Sequence, residues 1–222
     1  MADRRKVAIA EPPAVSDDVA DKLERGQPMK RFRVTLAAVL LAAATGSIAP
    51  THSSQDNPKP LQAPNLSGLH DFDSMVGKWQ AHHRRLKERL AGSHEWVEFD
   101  GTSNFFKLMD GFANTDENVF KMPSGEYRGV TLRAYDPKTG NWAIWWLDGR
   151  NPFGELDPPV KGHFVKGVGT FYSDDTLRRK RIRVRFTWSQ MTSTSAHWEQ
   201  AFSPDGGKTW EINWYTDFRR AS

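Results

Sequence analysis

Residues 180–220 read KRIRVRFTWSQMTSTSAHWEQAFSPDGGKTWEINWYTDFRR, and this stretch decides the fold. Apolar and charged side chains alternate along it with a period of two, the signature of strands wetted on one face. Setting Met191 opposite Ser195 puts Ile182, Val184, Phe186 and Trp188 on one face with Trp198, Gln200 and Phe202. Setting Ser203 opposite Thr209 adds Trp210, Ile212 and Trp214 to that face. Arg181, Arg183, Arg185, Glu199, Glu211 and Asn213 then share the opposite, wet face. A slip of one residue in the first hairpin would drive the arginines among the tryptophans, so the pattern selects its own register.

The same texture extends toward the N-terminus. Runs at 77–88, 94–108, 117–121, 127–136, 141–148 and 160–172 precede the three strands 180–190, 195–203 and 209–219. Turn signals separate them, among them Asp136-Pro137-Lys138-Thr139-Gly140 and Asp148-Gly149-Arg150-Asn151-Pro152. Only 69–76 and 84–91 carry a helical pattern. With 9 Trp, 13 Phe and 17 Gly in 222 residues, the composition favours an aromatic-rich β protein. The expected fold is an all-β, antiparallel barrel of about eight to ten strands over residues 69–222.

The N-terminal segments read as addressing. Met29–Ala49, MKRFRVTLAAVLLAAATGSIA, has a basic start (Lys30, Arg31, Arg33), an apolar run and a small-residue end. That is the layout of a secretory signal peptide, and the run is short for a membrane span. Residues 1–28 lie ahead of it and read as an upstream extension with Met29 as the true start. Residues 50–68, rich in Pro, Ser and Asn, form a flexible lead-in. The expected product is exported, periplasmic or extracellular, with no integral span after cleavage. Removing 1–49 takes away eight basic and six acidic residues, which lowers the net charge from +4 to +2 and weakens any case for nucleic-acid binding.

Phe72-Asp73-Ser74-Met75-Val76-Gly77-Lys78-Trp79 resembles the opening of the first strand in lipocalins and other calycins, a G-x-W after a short helical turn. The resemblance implies a structural pair: Trp79 closing one barrel end, covered by Arg220 from the end of the last strand. More broadly, FDSMVGKW, EWVEFDGTSNFF, RGVTLRAYDPKTGNWAIWWLD and HWEQAFSPDGGKTWEINW resemble an uncharacterised bacterial family with a calycin-like barrel. That likeness covers about residues 70–220 and brings no catalytic residues with it.

Other motifs reduce to structure. Ser203-Pro204-Asp205-Gly206-Gly207-Lys208-Thr209-Trp210 matches the S-x-D-x-G-x-T-W box of sialidases, itself a hairpin turn. The basic run Arg178–Arg185 reads as a solvated, ion-paired face, with acidic-glycan binding as the sharper alternative. His82 and His83 are neighbours and point to opposite faces of a strand, while His94, His163 and His197 are scattered singly, so no metal site is expected. The chain has no cysteine, and no cofactor motif occurs.

The tryptophans remain as the functional signal. The leading reading is a binding protein for a small apolar or amphipathic molecule, with Trp146, Trp188, Trp198 and Trp214 as the wall and Gln200 as an orienting amide. The rival is a calycin-type hydratase, isomerase or cyclase, drawing on Asp148, Arg150 and Arg133, and on Glu199 and His197 if the register shifts by one.

Overall fold

A computed structural model describes residues 63–222; residues 1–28, 29–49 and most of 50–68, read from sequence as an upstream extension, a signal peptide and a lead-in, lie outside the described residues. The chain forms ten strands: β1 (Gly77–Leu86), β2 (Trp96–Leu108), β3 (Ala113–Met122), β4 (Gly125–Asp136), β5 (Asn141–Asp148), β6 (Val160–Val165), β7 (Val168–Leu177), β8 (Lys180–Ser189), β9 (Ser195–Ser203) and β10 (Glu211–Arg220). Each pairs antiparallel with its sequence neighbours, and β1 pairs with β10, so the sheet closes into a ten-stranded antiparallel barrel. Closure removes the two free edge strands an open sheet would have.

Three expected elements are corrected. The run 160–172 is two strands, because Lys166 (φ 50°) and Gly167 (φ 80°) form a two-residue hairpin turn between β6 and β7. The expected helix over 84–91 is instead the end of β1 followed by bends, since Arg84, Arg85 and Leu86 pair with β2. Of 69–76, only Asp73–Met75 forms a 3-10 turn.

The β8–β9 register matches the sequence reading, with Trp188 opposite Trp198 and Val184 opposite Phe202. The β9–β10 register differs. A bulge between Ile212 and Trp214 shifts the pairing, so Ile212 faces Ala201 while Trp214 faces Gln200. One extra residue inverts the faces upstream of it. Asn213 therefore turns inward to accept a hydrogen bond from Gln200 Nε2 (2.9 Å), and Trp210 and Ile212 leave the inner wall. Trp210 packs outside, with the Arg185 guanidinium 4.5 Å from its ring centroid and Tyr172 beside it.

The turn before β10 is a hydrogen-bonded box. Asp205 accepts from the backbone N–H groups of Lys208 and Thr209 and from the Thr209 hydroxyl, and Ser203 Oγ accepts from Gly207 N–H. Those bonds, the Thr209 hydroxyl foremost, hold the Asp205 carboxyl well below its ordinary range. Gly206 and Gly207 supply the positive φ values.

One end of the barrel is plugged. Trp79 is 0% exposed, and its Nε1 donates to Met75 O at 2.6 Å. The Arg220 guanidinium lies 3.9 Å from the Trp79 ring centroid and donates to the carbonyls of Val76, Ser74 and Ser193. Asn65 and Gly68 are already tied to this end through the Tyr135 hydroxyl and Trp142 Nε1. Phe72 packs edge-on against Trp142, Phe164 and Trp188, sealing the core from below.

Candidate functional site

Because the strands run antiparallel from that plug, the ends at Leu86, Met122, Asp148, Leu177 and Ser203 gather at the opposite rim. There the lumen opens into a cavity of about 750 Å³. Its size suits a small-molecule pocket, and its lining combines aromatic rings with charged groups, Arg85, Arg89, Asp148 and Arg150 among them. The connection between β5 and β6 overhangs this rim, and their pairing is confined to Trp142–Ile144.

The site has three levels. At the rim, arginines lie across aromatic rings: Arg85 over Trp214 (5.1 Å), Arg89 over Phe202 (5.7 Å) and Arg150 over Tyr127 (4.3 Å). Such contacts contribute about 0.5–2 kcal/mol each, more when water is excluded. Asp148 pairs with Arg150 at this level, its Oδ1 accepting from Nε at 2.9 Å. Burial raises the Tyr127 phenol above its ordinary value, so the ring stays neutral.

At the middle level sits a ring of aromatics. Trp214 contacts Trp198 (6.0 Å), Phe120 (5.9 Å) and Phe99 (6.2 Å), all edge-on, and Trp146 meets Phe120 at 5.8 Å. Gln200 lies among them with its Nε2 committed to Asn213, which leaves its carbonyl oxygen for a ligand donor. His83 completes this level. Its ring stacks on Phe99 at 4.8 Å, and Nδ1 lies 2.9 Å from Thr216 Oγ1 and 3.4 Å from Trp214 Nε1. Burial holds the imidazole down to about 3, against an ordinary 6.5, so it is neutral across physiological pH.

The floor is polar, and the sequence reading missed it. On β3, Asn114, Asp116 and Asn118 all face inward. Asp116 pairs with Arg133 Nη1, and its other oxygen accepts from Asn118 Nδ2 and from the Thr131 hydroxyl (3.2 Å). Ser103 donates to Asn118, and Arg133 Nη1 also donates to Asn114 Oδ1 at 3.1 Å. Pairing across β2, β3 and β4 brings these residues together: Ser103 faces Asn118, Asp116 faces Thr131, and Asn114 faces Arg133. The guanidinium is framed by Phe72, Phe105 and Trp188 at 5.1, 5.0 and 5.5 Å, and its Nε is buried without a hydrogen-bond partner.

The sequence-derived candidates divide accordingly. Trp146, Trp198, Gln200 and Trp214 border the cavity at mid-depth, and Trp188 borders it at the floor, stacked on Phe218 at 5.5 Å. Arg133, expected near a strand end, is deep and ion-paired. Asp148 and Arg150 sit at the rim. His197 and Glu199 lie on the outer face, where His197 contacts Asp217 (2.7 Å) and Glu199 (3.2 Å), so the register keeps them out of the lumen. The basic run on β8 stacks on rings: Arg183 lies over Tyr172 at 5.0 Å, as Arg185 does over Trp210.

Among the described residues no group of three or more His, Cys, Asp or Glu is placed to hold a metal ion. Asp116 is the carboxylate of the floor, yet three donors already occupy its oxygens, which suits a structural anchor better than a general base. No helix among the described residues is long and apolar enough to cross a membrane.

No protein-family model matches the chain, and no curated protein matches it in sequence. Among solved structures it is similar to the S-type phycobiliprotein lyase CPES from Guillardia theta. That likeness has a TM-score of 0.47 at 10% identity, covering 68% of this chain and 90% of that one.

Proposed function

We propose that the barrel binds one small, mainly apolar molecule in its lumen. The observation that carries this reading is the open cavity of about 750 Å³, which the aromatic side chains border without filling. A wholly apolar core would close over such a space, since voids of that size forfeit packing energy. Trp146, Trp198 and Trp214 form the wall, Trp188 the floor, and Gln200 orients the guest. The Trp79–Arg220 closure keeps the far end rigid. The resemblance of the G-x-W opening at Gly77–Trp79 to the start of calycin barrels is in keeping with this role. The signal-peptide layout of Met29–Ala49 supports action outside the cytoplasm, and N-terminal sequencing of the mature chain tests it.

Titration with N-phenyl-1-naphthylamine, an uncharged aromatic probe, tests the lumen. One saturable site with quenched tryptophan emission is expected, weakened by about ten-fold in Trp214→Ala, consistent with loss of a large buried ring contact. A linear, unsaturable response unchanged by that substitution would refute the reading.

A further inference from the structure

The cavity mouth carries charge above an apolar wall. Tyr127 on β4 stacks on Phe120 at 4.6 Å, and Phe120 meets Trp146 and Trp214 edge-on at 5.8 and 5.9 Å. Two guanidinium groups cap this wall: Arg150 lies 4.3 Å from the Tyr127 ring centroid, and Arg85 lies 5.1 Å from that of Trp214. Asp148 holds Arg150 in place through its Nε at 2.9 Å. Among the described residues the Tyr127 hydroxyl makes no hydrogen bond. Burial foremost raises its phenol, the cations Arg150, Arg85 and Arg89 oppose that rise, and Asp148 adds to it. Three cations and one anion thus dominate the field at a hydroxyl that stays protonated and able to donate. Below the mouth the charges are already matched: Asp116 pairs with Arg133, and burial keeps the His83 imidazole neutral.

We propose that this mouth binds the carboxylate head of an amphipathic guest, held by Arg150, Arg85 and the Tyr127 hydroxyl, with the guest's apolar body against Phe120, Trp146 and Trp214. This rests on the reading of the lumen as a ligand site and names the chemical class of the guest. A guanidinium stacked on a ring uses its face, so its N–H edges lie in the plane where a carboxylate bonds. Four carboxylates also border the cavity, so the preference is local. Glu155 and Asp157 are exposed on the 149–159 connection, where water and ions screen them, and Asp175 lies on β7. Asp148 is bonded to Arg150 and acts as its positioning residue. A head group at the mouth keeps part of its hydration, whereas one driven to the floor would meet only a closed ion pair.

The test compares decanoate, decanol and decylammonium, which share a chain and differ in the head group, as displacers of N-phenyl-1-naphthylamine. At low salt decanoate is expected to bind about ten-fold tighter than the alcohol, in line with charge-assisted hydrogen bonds at a partly exposed site, and decylammonium weakest. Raising the salt to about 0.5 M should shrink that advantage, because the mouth is open to ions. In Arg150→Met the ratio of carboxylate to alcohol affinity should fall by about three-fold or more, and in Tyr127→Phe, which keeps the ring, by about two-fold. Carbon NMR of carboxyl-labelled decanoate on the unsubstituted protein is an independent readout if a variant folds poorly. The bound carboxyl should stay ionised to a lower pH than that of free decanoate. Equal affinity for decanoate and decanol, tighter binding of decylammonium, or a bound carboxyl that protonates at a higher pH than the free one overturns the proposal, while the probe's binding leaves the lumen reading standing. Failure of the probe itself to bind removes both.

Discussion

Asp116 and Arg133 are almost fully buried, so each depends on the other. Asp116→Leu leaves a guanidinium without a counter-charge in an aromatic cage and should cost about 3–5 kcal/mol in urea unfolding. Asp116→Leu combined with Arg133→Met should recover most of that loss, because an apolar pair of similar volume removes both desolvation penalties. His83 gives the pH dependence. Its folded value, about 3, lies below the ordinary 6.5, so the unfolded chain binds the extra proton between those limits. Its contribution to stability is complete above pH 6.5 and falls by about 1.4 kcal/mol per unit as pH drops toward 3. The difference in slope between the parent protein and His83→Phe, measured by urea unfolding from pH 4 to 7, isolates this term. The tryptophan wall was legible because bulky apolar side chains alternate with charged ones along β8 and its neighbours β9 and β10. The floor was not. Asn114, Asp116 and Asn118 also recur every second residue, but inward-facing polar side chains read as a loop, and their partners Ser103, Thr131 and Arg133 lie on other strands.

Strand positions followed from alternation, whereas the irregularities between them did not. The Asn213 bulge is invisible to a period-two reading because it inserts one residue and inverts the faces on one side only. The turn at Lys166-Gly167 escaped because β-prone residues flank it closely on both sides. By contrast, the Ser203–Trp210 box declared itself through side chains that bond their own backbone. A further prediction belongs to β4. Trp146 lies against Gly129, where an added Cβ would meet its ring at 2.2 Å. Gly129→Ala should push that ring into the cavity, lowering affinity for N-phenyl-1-naphthylamine by about ten-fold, the scale of one displaced ring contact. Near-UV circular dichroism would report the moved indole. Unchanged affinity with unchanged spectrum would show that Trp146 does not shape the pocket.

For the whole molecule, closure divides the barrel into a rigid end and a soft one. Trp79, Arg220 and the 65–76 segment lock the first. The second contains the seam between β5 and β6, paired only over Trp142–Ile144 and continued by the long 149–159 connection. This seam is the expected entry path. Hydrogen exchange should be fastest, among barrel amides, over 145–160, and slow on ligand binding, because local opening precedes entry. Fast exchange that a bound guest leaves untouched would place the entry elsewhere. Occupancy of the lumen is read by native mass spectrometry of the protein gently purified from its own host. A reproducible single adduct of about a few hundred daltons, the mass that such a pocket encloses, is expected, released on denaturation. A bare mass that stays bare after incubation with N-phenyl-1-naphthylamine would contradict it.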